Sequence, residues 1–262
     1  MGLQIDSKLN LLSRLLPEGV AAPSVWLESQ GFSRQLVRKY VQSGWLKPLA
    51  RGVFARPAQP VDADGLILGL QRLAGAQFHV GGVSALNRLG HAHYLPLGGE
   101  IEIHLWGQGA VPAWVAAVSL HERLTFHRAR LFEESARTVG LDAVLTRVRD
   151  WTLVVSSLER AIMEVLSLVD ESESSFTHAS ELFESLTVLR PKVVNELLAA
   201  CRSLKVKRLF LFLSSHYHYP WTEKLDRSGV DLGKGKRLVV RGGRYDREFR
   251  ITVPERFGAE RG

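Results

Sequence analysis

The segment from Ser33 to Arg56 limits what this chain can be more than any other. At about 100° per residue, Leu36, Val37, Tyr40, Val41 and Gly44 fall on one side of a helix, and Arg34, Gln35, Arg38, Lys39, Gln42 and Ser43 on the other. Ser33 is a fitting N-cap, and the apolar side has the spacing of a buried face. The polar side holds three cations and two amides without an acid. Such side chains suit phosphates and base edges. The run from Leu46 to Arg56 then reads as a short hairpin with a basic tip, flanked by Arg51 and Arg56. A polar-basic helix followed by a basic hairpin is the pattern of a winged helix-turn-helix. Upstream, Ile5, Leu9, Leu12 and Leu16 recur at helical spacing, and Pro17 and Gly19 end that helix. Pro23 and Ser24 open a short helix, Val25 to Gln30, closed by Gly31.

These features predict double-stranded DNA as partner. Arg34, Gln35, Arg38 and Gln42 would face the major groove, Ser33 and Lys39 would touch phosphate, and Arg51 and Arg56 would flank the wing. The competing reading is a three-helix interaction module with a solvated basic face. The charge distribution favours the nucleic-acid reading. The net charge is +7, but residues 1–60 hold eight Lys/Arg against three Asp/Glu, and residues 201–262 hold fifteen against seven. Residues 151–200 hold three against eight. Basic ends around an acidic middle suggest a polyanion as partner of the ends.

The chain is expected to be α+β, with a winged helix-turn-helix in residues 1–58 followed by a larger mixed α/β domain in residues 61–262. Pro57-Ala58-Gln59-Pro60 reads as the linker. Helices are expected over 62–74, Val83–Leu89, from Ser157 to Val169, around Phe176–Leu186, from Pro191, and around Val206–Leu213. Strands are expected at Ile101–Trp106, Arg123–Arg128 and Trp151–Val155. Ser156-Ser157-Leu158-Glu159 has the form of a capping box. Near the C-terminus, Arg237–Arg241 and Tyr245–Val253 would pair across a Gly242-Gly243 turn.

Cys201 is the sole cysteine, so no intramolecular disulfide can form, and it reads as core. Asp6 and Lys8 interrupt any apolar leader, and no stretch approaches the ~20 apolar residues of a membrane helix. A soluble, cytoplasmic protein without membrane contact is expected.

Patterns that invite catalytic readings are incomplete. Gly233-Lys234-Gly235-Lys236-Arg237 lacks the spacing and the hydroxyl of a phosphate loop. His91/His93 and His216/His218 have aromatic neighbours and no cysteine, which favours packing over metal binding. Glu100 and Glu102 sit acid-x-acid on a strand, as metal ligands do in nucleotidyltransferases, but the Gly-Ser turn of that family is missing. They carry the alternative reading, a metal-dependent enzyme acting on nucleic acid or nucleotides. No cofactor is expected.

The sequence resembles the AbiEi family of antitoxins, the transcription-regulating half of bacterial type IV toxin–antitoxin pairs associated with phage defence. The matching blocks include Ser33-Arg34-Gln35-Leu36-Val37, Ser43-Gly44-Trp45-Leu46, Arg51-Gly52-Val53-Phe54 and Gly81-Gly82-Val83-Ser84-Ala85-Leu86. Ser157-Leu158-Glu159-Arg160-Ala161, Leu189-Arg190-Pro191, Lys205-Val206-Lys207-Arg208-Leu209-Phe210-Leu211 and Asp231-Leu232-Gly233-Lys234-Gly235-Lys236-Arg237 follow in order. The resemblance implies a non-enzymatic protein with two tasks. Its winged helix would bind inverted repeats in its own promoter and repress the operon. Its C-terminal domain would neutralise a cognate AbiEii nucleotidyltransferase-like toxin, directly or indirectly. The antitoxin surface is expected at Lys205, Lys207 and Arg208 on one helix and at Lys234, Lys236 and Arg237 in one loop. The bland alternative is that these cations solvate the domain or pair with the acidic middle.

Overall fold

The computed structural model describes residues 2–91 and 101–257, with side chains from Lys8 onward. The elements run α1 (Gly2–Leu15), β1 (Ala22–Pro23), α2 (Ser24–Ser29), α3 (Arg34–Gln42), β2 (Lys47–Ala50), β3 (Val53–Ala55), α4 (Ala63–Leu68) and β4 (Phe78–Val80). Then come α5 (Gly82–Arg88), β5 (Glu102–Gly107), α6 (Ala113–Ala117), β6 (Arg123–His127), β7 (Leu141–Leu145), β8 (Thr152–Ser156) and α7 (Leu158–Leu168). The C-terminal part holds α8 (Glu173–Glu184), α9 (Pro191–Ala200), α10 (Leu204–Tyr217), β9 (Arg244–Asp246) and β10 (Ile251–Val253).

The first part is a winged helix-turn-helix. Leu12, Leu16, Leu27, Phe32, Val37 and Tyr40 fill its core, each fully or nearly fully buried. A buried leucine or phenylalanine contributes about 1.5–3 kcal/mol, so these residues hold the three helices together. The wing is antiparallel, in the order β1-β3-β2, and β1 ties it back to the helices.

The exposed linker at 57–60 does not mark a break between two cores. Asp62 caps α4 by accepting from Gly65 N at 2.9 Å, and Leu66, Ile67 and Leu70 join the same apolar cluster as Leu12 and Val37. The helix expected over 62–74 divides. It is α-helical to Leu68 and continues as a π turn, Gly69–Leu73. A Cβ on Gly65 would lie 1.7 Å from the Gly19 carbonyl oxygen, and one on Gly69 would lie 2.0 Å from that of Ala21. The helix therefore lies directly on the backbone leading into the wing.

A five-stranded mixed sheet follows, in the order β6-β5-β4-β8-β7. Two of its strands, β4 and β7, were not among those expected from the sequence. Alternation splits the sheet's faces. Val80, Ile103, Leu105, Leu153 and Val155 belong to the cluster shared with the winged helix. The alternate residues on β4 and β5, His79, His104 and Trp106, take the other face. A second cluster joins α5, α7, α8, α9 and α10 to the C-terminal segment.

Two local expectations are corrected. Ser157 is the N-cap of α7 but makes no capping bond, because its hydroxyl donates to Glu159 at 2.6 Å. Ser156 instead donates to Glu164 at 2.8 Å, so no capping box forms. The Gly242-Gly243 hairpin is also absent. β9 pairs with β10 across the turn after Asp246. Residues 237–240 run beside β10 through a parallel bridge from Arg237 to Ile251 and through the Thr252 hydroxyl.

Candidate nucleic-acid interface

The second and third helices meet at Gly31, whose φ of +81° makes the turn between them. Ser33 Oγ then accepts from Leu36 N at 3.3 Å, a cap that contributes about 1 kcal/mol. At the far end, Gly44 N donates to Val41 O and Trp45 N to Tyr40 O. Gly44, at φ +78°, closes a Schellman motif. It therefore lies beyond the helix rather than on its apolar side.

Between these caps α3 divides as its spacing demands. Val37 and Tyr40 are buried, and Ser33, Arg34, Gln35, Arg38, Lys39 and Gln42 are all exposed. Arg34 is held by Glu28 at 2.8 Å, and the pair angles it toward α2. Arg38 and Lys39 have no ion-pair partner among the described residues. Arg51 is exposed at the wing turn, beside Gly52 at φ +77°, and is likewise unpaired. Gly52 O accepts from Ser24 N at 2.8 Å, which fixes the wing tip against the start of α2.

Arg56 differs from the others. It reaches back to Glu18 at 2.9 Å and to the Leu16 carbonyl, with both charged side chains only about one-fifth exposed. It secures the wing to the body rather than standing free beside it. Two exposed residues outside the expected set complete the surface, Trp45 after the helix and Lys47 on β2. Lys47 opens a strand whose first residues are exposed, and that exposure depends on the three-stranded pairing rather than on local periodicity.

The other basic cluster is not a surface. Arg208 is fully buried on α10. Its Nε donates to Leu232 O at 2.8 Å, and its Nη1 to Gly235 O and Arg250 O at 2.9 and 3.1 Å. Lys207 is buried as well. Lys205 Nζ donates to the Ser167 and Val169 carbonyls at 2.8 and 2.7 Å, neutralising the C-terminal end of α7. Burial, followed by the charge of Arg237, pushes the Lys205 ammonium below its ordinary pKa. The expectation that Lys205, Lys207 and Arg208 form an antitoxin surface is therefore corrected. Contiguous apolar residues from Leu209 to Leu213 wrap the middle of α10 on all sides, and residues 206–214 are all buried.

The loop that Arg208 grips is exposed. Lys234, Lys236 and Arg237 reach solvent. Asp231 accepts from Gly233 N at 2.7 Å, and Lys236 Nζ lies 4.9 Å from the Tyr245 ring centre.

Beneath the second face of the sheet lies a buried polar cluster. Glu164 accepts from His79 Nε2 (2.9 Å), Arg160 Nε (3.1 Å), Gly82 N (2.9 Å) and Ser156 Oγ (2.8 Å). Burial pushes its carboxyl pKa up, but His79, Arg160 and the Gly82 N–H outweigh this and hold it below the ordinary carboxylate value. Gly81 cannot carry a side chain, because a Cβ would lie 2.3 Å from Glu164 Oε2. Glu159 is bound by Arg190 through N, Nε and Nη2. The Gly81-Gly82 and Ser157–Ala161 blocks thus serve the interior.

Glu100 and His93 lie outside the described residues. Glu102 accepts from the Thr125 hydroxyl and lies 3.9 Å from His104. His104 Nδ1 and His127 Nε2 are 2.8 Å apart, so one ring donates to the other. Burial keeps both imidazoles below their ordinary pKa. Among the described residues no group of three or more His, Cys, Asp or Glu side chains is arranged to hold a metal ion. His216 packs among Phe212, Tyr217 and Phe257, and His218 ends α10 at φ +50°. No helix among the described residues is long and apolar enough to cross a membrane.

The crystal structure of the Rv2827c protein from Mycobacterium tuberculosis superposes with a TM-score of 0.53 at 16% identity, over 94% of this chain and 89% of that one. It shows a shared fold. Among curated proteins, none matches this chain. Residues 5–97 match the family model described as the transcriptional regulator AbiEi antitoxin N-terminal domain. Residues 100–254 match that of the transcriptional regulator, AbiEi antitoxin, of type IV toxin–antitoxin systems. With two adjoining models spanning nearly its whole length, the chain belongs to the AbiEi antitoxin family of transcriptional regulators.

Proposed function

We propose that this protein is the antitoxin of a type IV toxin–antitoxin pair and represses its own operon by binding inverted repeats in the promoter. The observation that carries the repressor reading is the row of exposed side chains on α3, with Arg38 and Lys39 unpaired, set beside the unpaired Arg51 of the wing. Amides and guanidinium groups on one helix face match the donor and acceptor pattern of the major groove. Arg38, Gln35 and Gln42 read base edges, Ser33, Lys39 and Arg51 hold phosphates, and Arg34, steadied by Glu28, reaches the groove edge. The partners are operator DNA and a cognate AbiEii nucleotidyltransferase-like toxin. Catalysis has no part in this reading.

Neutralisation is assigned to residues 61–262, with the DNA-reading surface in residues 1–58. Lys234, Lys236 and Arg237 form the contact surface, and Arg208 supports it from within through the Leu232 and Gly235 carbonyls. The test is co-expression with the toxin gene, scored as growth rescue. Charge reversal at Lys234, Lys236 and Arg237 is expected to abolish rescue while melting temperature and operator binding stay as in wild type. Full rescue by that folded variant would remove the loop from the reading. Loss of rescue in a DNA-binding variant with an intact loop would overturn the separation of the two tasks.

A further inference from the structure

The sheet's second face does not close completely against the segments that cover it. Between β4, β5, α7 and residues 129–141 lies a cavity of about 310 Å³. That is the lower end of the range of about 300–1,000 Å³ typical of ligand sites. Its walls are largely apolar, with Trp106, Leu131, Phe132 and Leu141 among them. Its polar groups converge where Arg160, Glu164 and His79 meet.

Arg160 is built in a way that leaves one part of it unused. Its Nε serves Glu164, and its Nη1 holds the carbonyls of Ala136, Arg137 and Val139 at 3.2, 3.1 and 2.8 Å. Its guanidinium lies 4.7 Å from the Phe132 ring centre. The Nη2 amino group takes no partner among the described residues, although the side chain is only 9% exposed. A guanidinium held by four acceptors through Nε and Nη1, with both Nη2 N–H groups open, is a preformed donor facing the space that Arg160 lines.

The lining holds three arginines and three glutamates. Glu134 is answered by Arg137 at 3.0 Å and Glu133 by Arg202 at 3.4 Å. Glu164 is answered by Arg160 and His79. Arg130, exposed at the rim, has no ion pair among the described residues. Because Arg202 takes Glu133 from outside the lining, Arg130 is left as the unpaired charge, above aromatic walls. We propose that this cavity binds a small aromatic carboxylate, its ring against Trp106 and Phe132, its carboxylate taken by Arg160 Nη2 with Arg130 closing the mouth.

The probes are benzoate and cinnamate, with benzamide and cinnamamide as their neutral counterparts, titrated into the full-length protein. Binding is followed by calorimetry and by the backbone amide resonances of Gln77, Gly107, Leu131 and Thr138. The carboxylates are expected to saturate those resonances and to bind at least roughly tenfold tighter than the amides, the scale of a charge-assisted hydrogen bond. Because Arg160 also holds three carbonyls, its replacement would confuse binding with folding. Arg130→Gln and Ala129→Trp at the rim avoid that. The first is expected to weaken benzoate binding roughly threefold with an unchanged melting temperature, and the second to block it. Absence of saturable shifts at these amides, equal affinity for acid and amide, or undiminished binding in folded Ala129→Trp would each overturn the proposal.

Discussion

Helices α3 and α10 both carry a Lys/Arg cluster beside apolar residues, yet they turn it in opposite directions. On α3 the apolar positions stop at Leu36, Val37, Tyr40 and Val41, so Arg38 and Lys39 are left in water. On α10 the apolar positions run without a gap from Leu209 to Leu213, so Arg208 goes inside. A spacing of three residues places two cations on one side of a helix. It does not say whether that side is outside. The width of the apolar stripe decides this. One cluster is therefore available to a ligand, and the other is consumed by the fold.

The largest effect expected from this contrast is on stability. Arg208→Leu removes the three hydrogen bonds from the guanidinium to the carbonyls of Leu232, Gly235 and Arg250, and a hydrogen bond to a charged group contributes about 1.5–3 kcal/mol. Chemical denaturation should show a loss of at least ~3 kcal/mol, whereas Arg38→Leu should leave stability within about 0.5 kcal/mol. A folded, wild-type-stable Arg208→Leu protein would break the comparison.

The reverse experiment reads operator affinity. Arg38→Ala should weaken operator binding by about 1–3 kcal/mol if it reads a guanine edge, with the melting temperature unmoved. Unchanged operator affinity in both Arg38→Ala and Arg34→Ala would remove α3 as the reading helix.

Acid sharpens the contrast on the buried side. Glu159 and Glu164 both have folded-state pKa values below the ordinary 4.5. For Glu159 burial acts upward, but Arg190 and Ser157 prevail. The stability they contribute is fully present above pH 4.5 and is lost as pH falls through their lowered values. Glu159→Gln should lower stability at pH 7 and flatten its decline between about pH 5 and pH 2. An unaltered pH profile in that variant would show that the Glu159–Arg190 contact does not govern acid sensitivity.

The smallest effect separates the two arginines of the wing. Arg51→Ala should lower the slope of log affinity against log salt by about 1. Arg56→Ala should leave the slope nearly unchanged and cost up to about 1 kcal/mol of stability, because Arg56 is occupied by Glu18. Equal slope changes would place Arg56 on phosphate.

The winged helix was legible because its signals are local. Ser33, the Gly31 turn and the four apolar residues of α3 each act within a few positions. Their structural counterparts are a cap, a φ of +81° and a buried face. The larger part was less legible because its key bonds are long-range. Arg208 meets carbonyls 24 to 42 residues away, and Glu164 meets partners as far back as His79. Ser156 had the local pattern of a cap, but a buried carboxylate eight residues ahead took its hydroxyl. Strand β4 escaped notice because three residues, Phe78–Val80, cannot show a period. Gln71 held the nearest clue, since its side-chain amide bonds Phe78 O, Val154 O and Val154 N where β4 and β8 diverge.

The bare seam at Gly65 and Gly69 has a mechanical consequence. With the carbonyls of Gly19 and Ala21 occupying the space where side chains would stand, the winged-helix head has no lubricating layer on which to swivel. The exposed Pro57–Pro60 stretch is a bypass and not a hinge. Under the proposed repressor reading, the head and the sheet would approach an operator as one stiff tool, and engaging the groove would set the direction in which the body points away from the DNA.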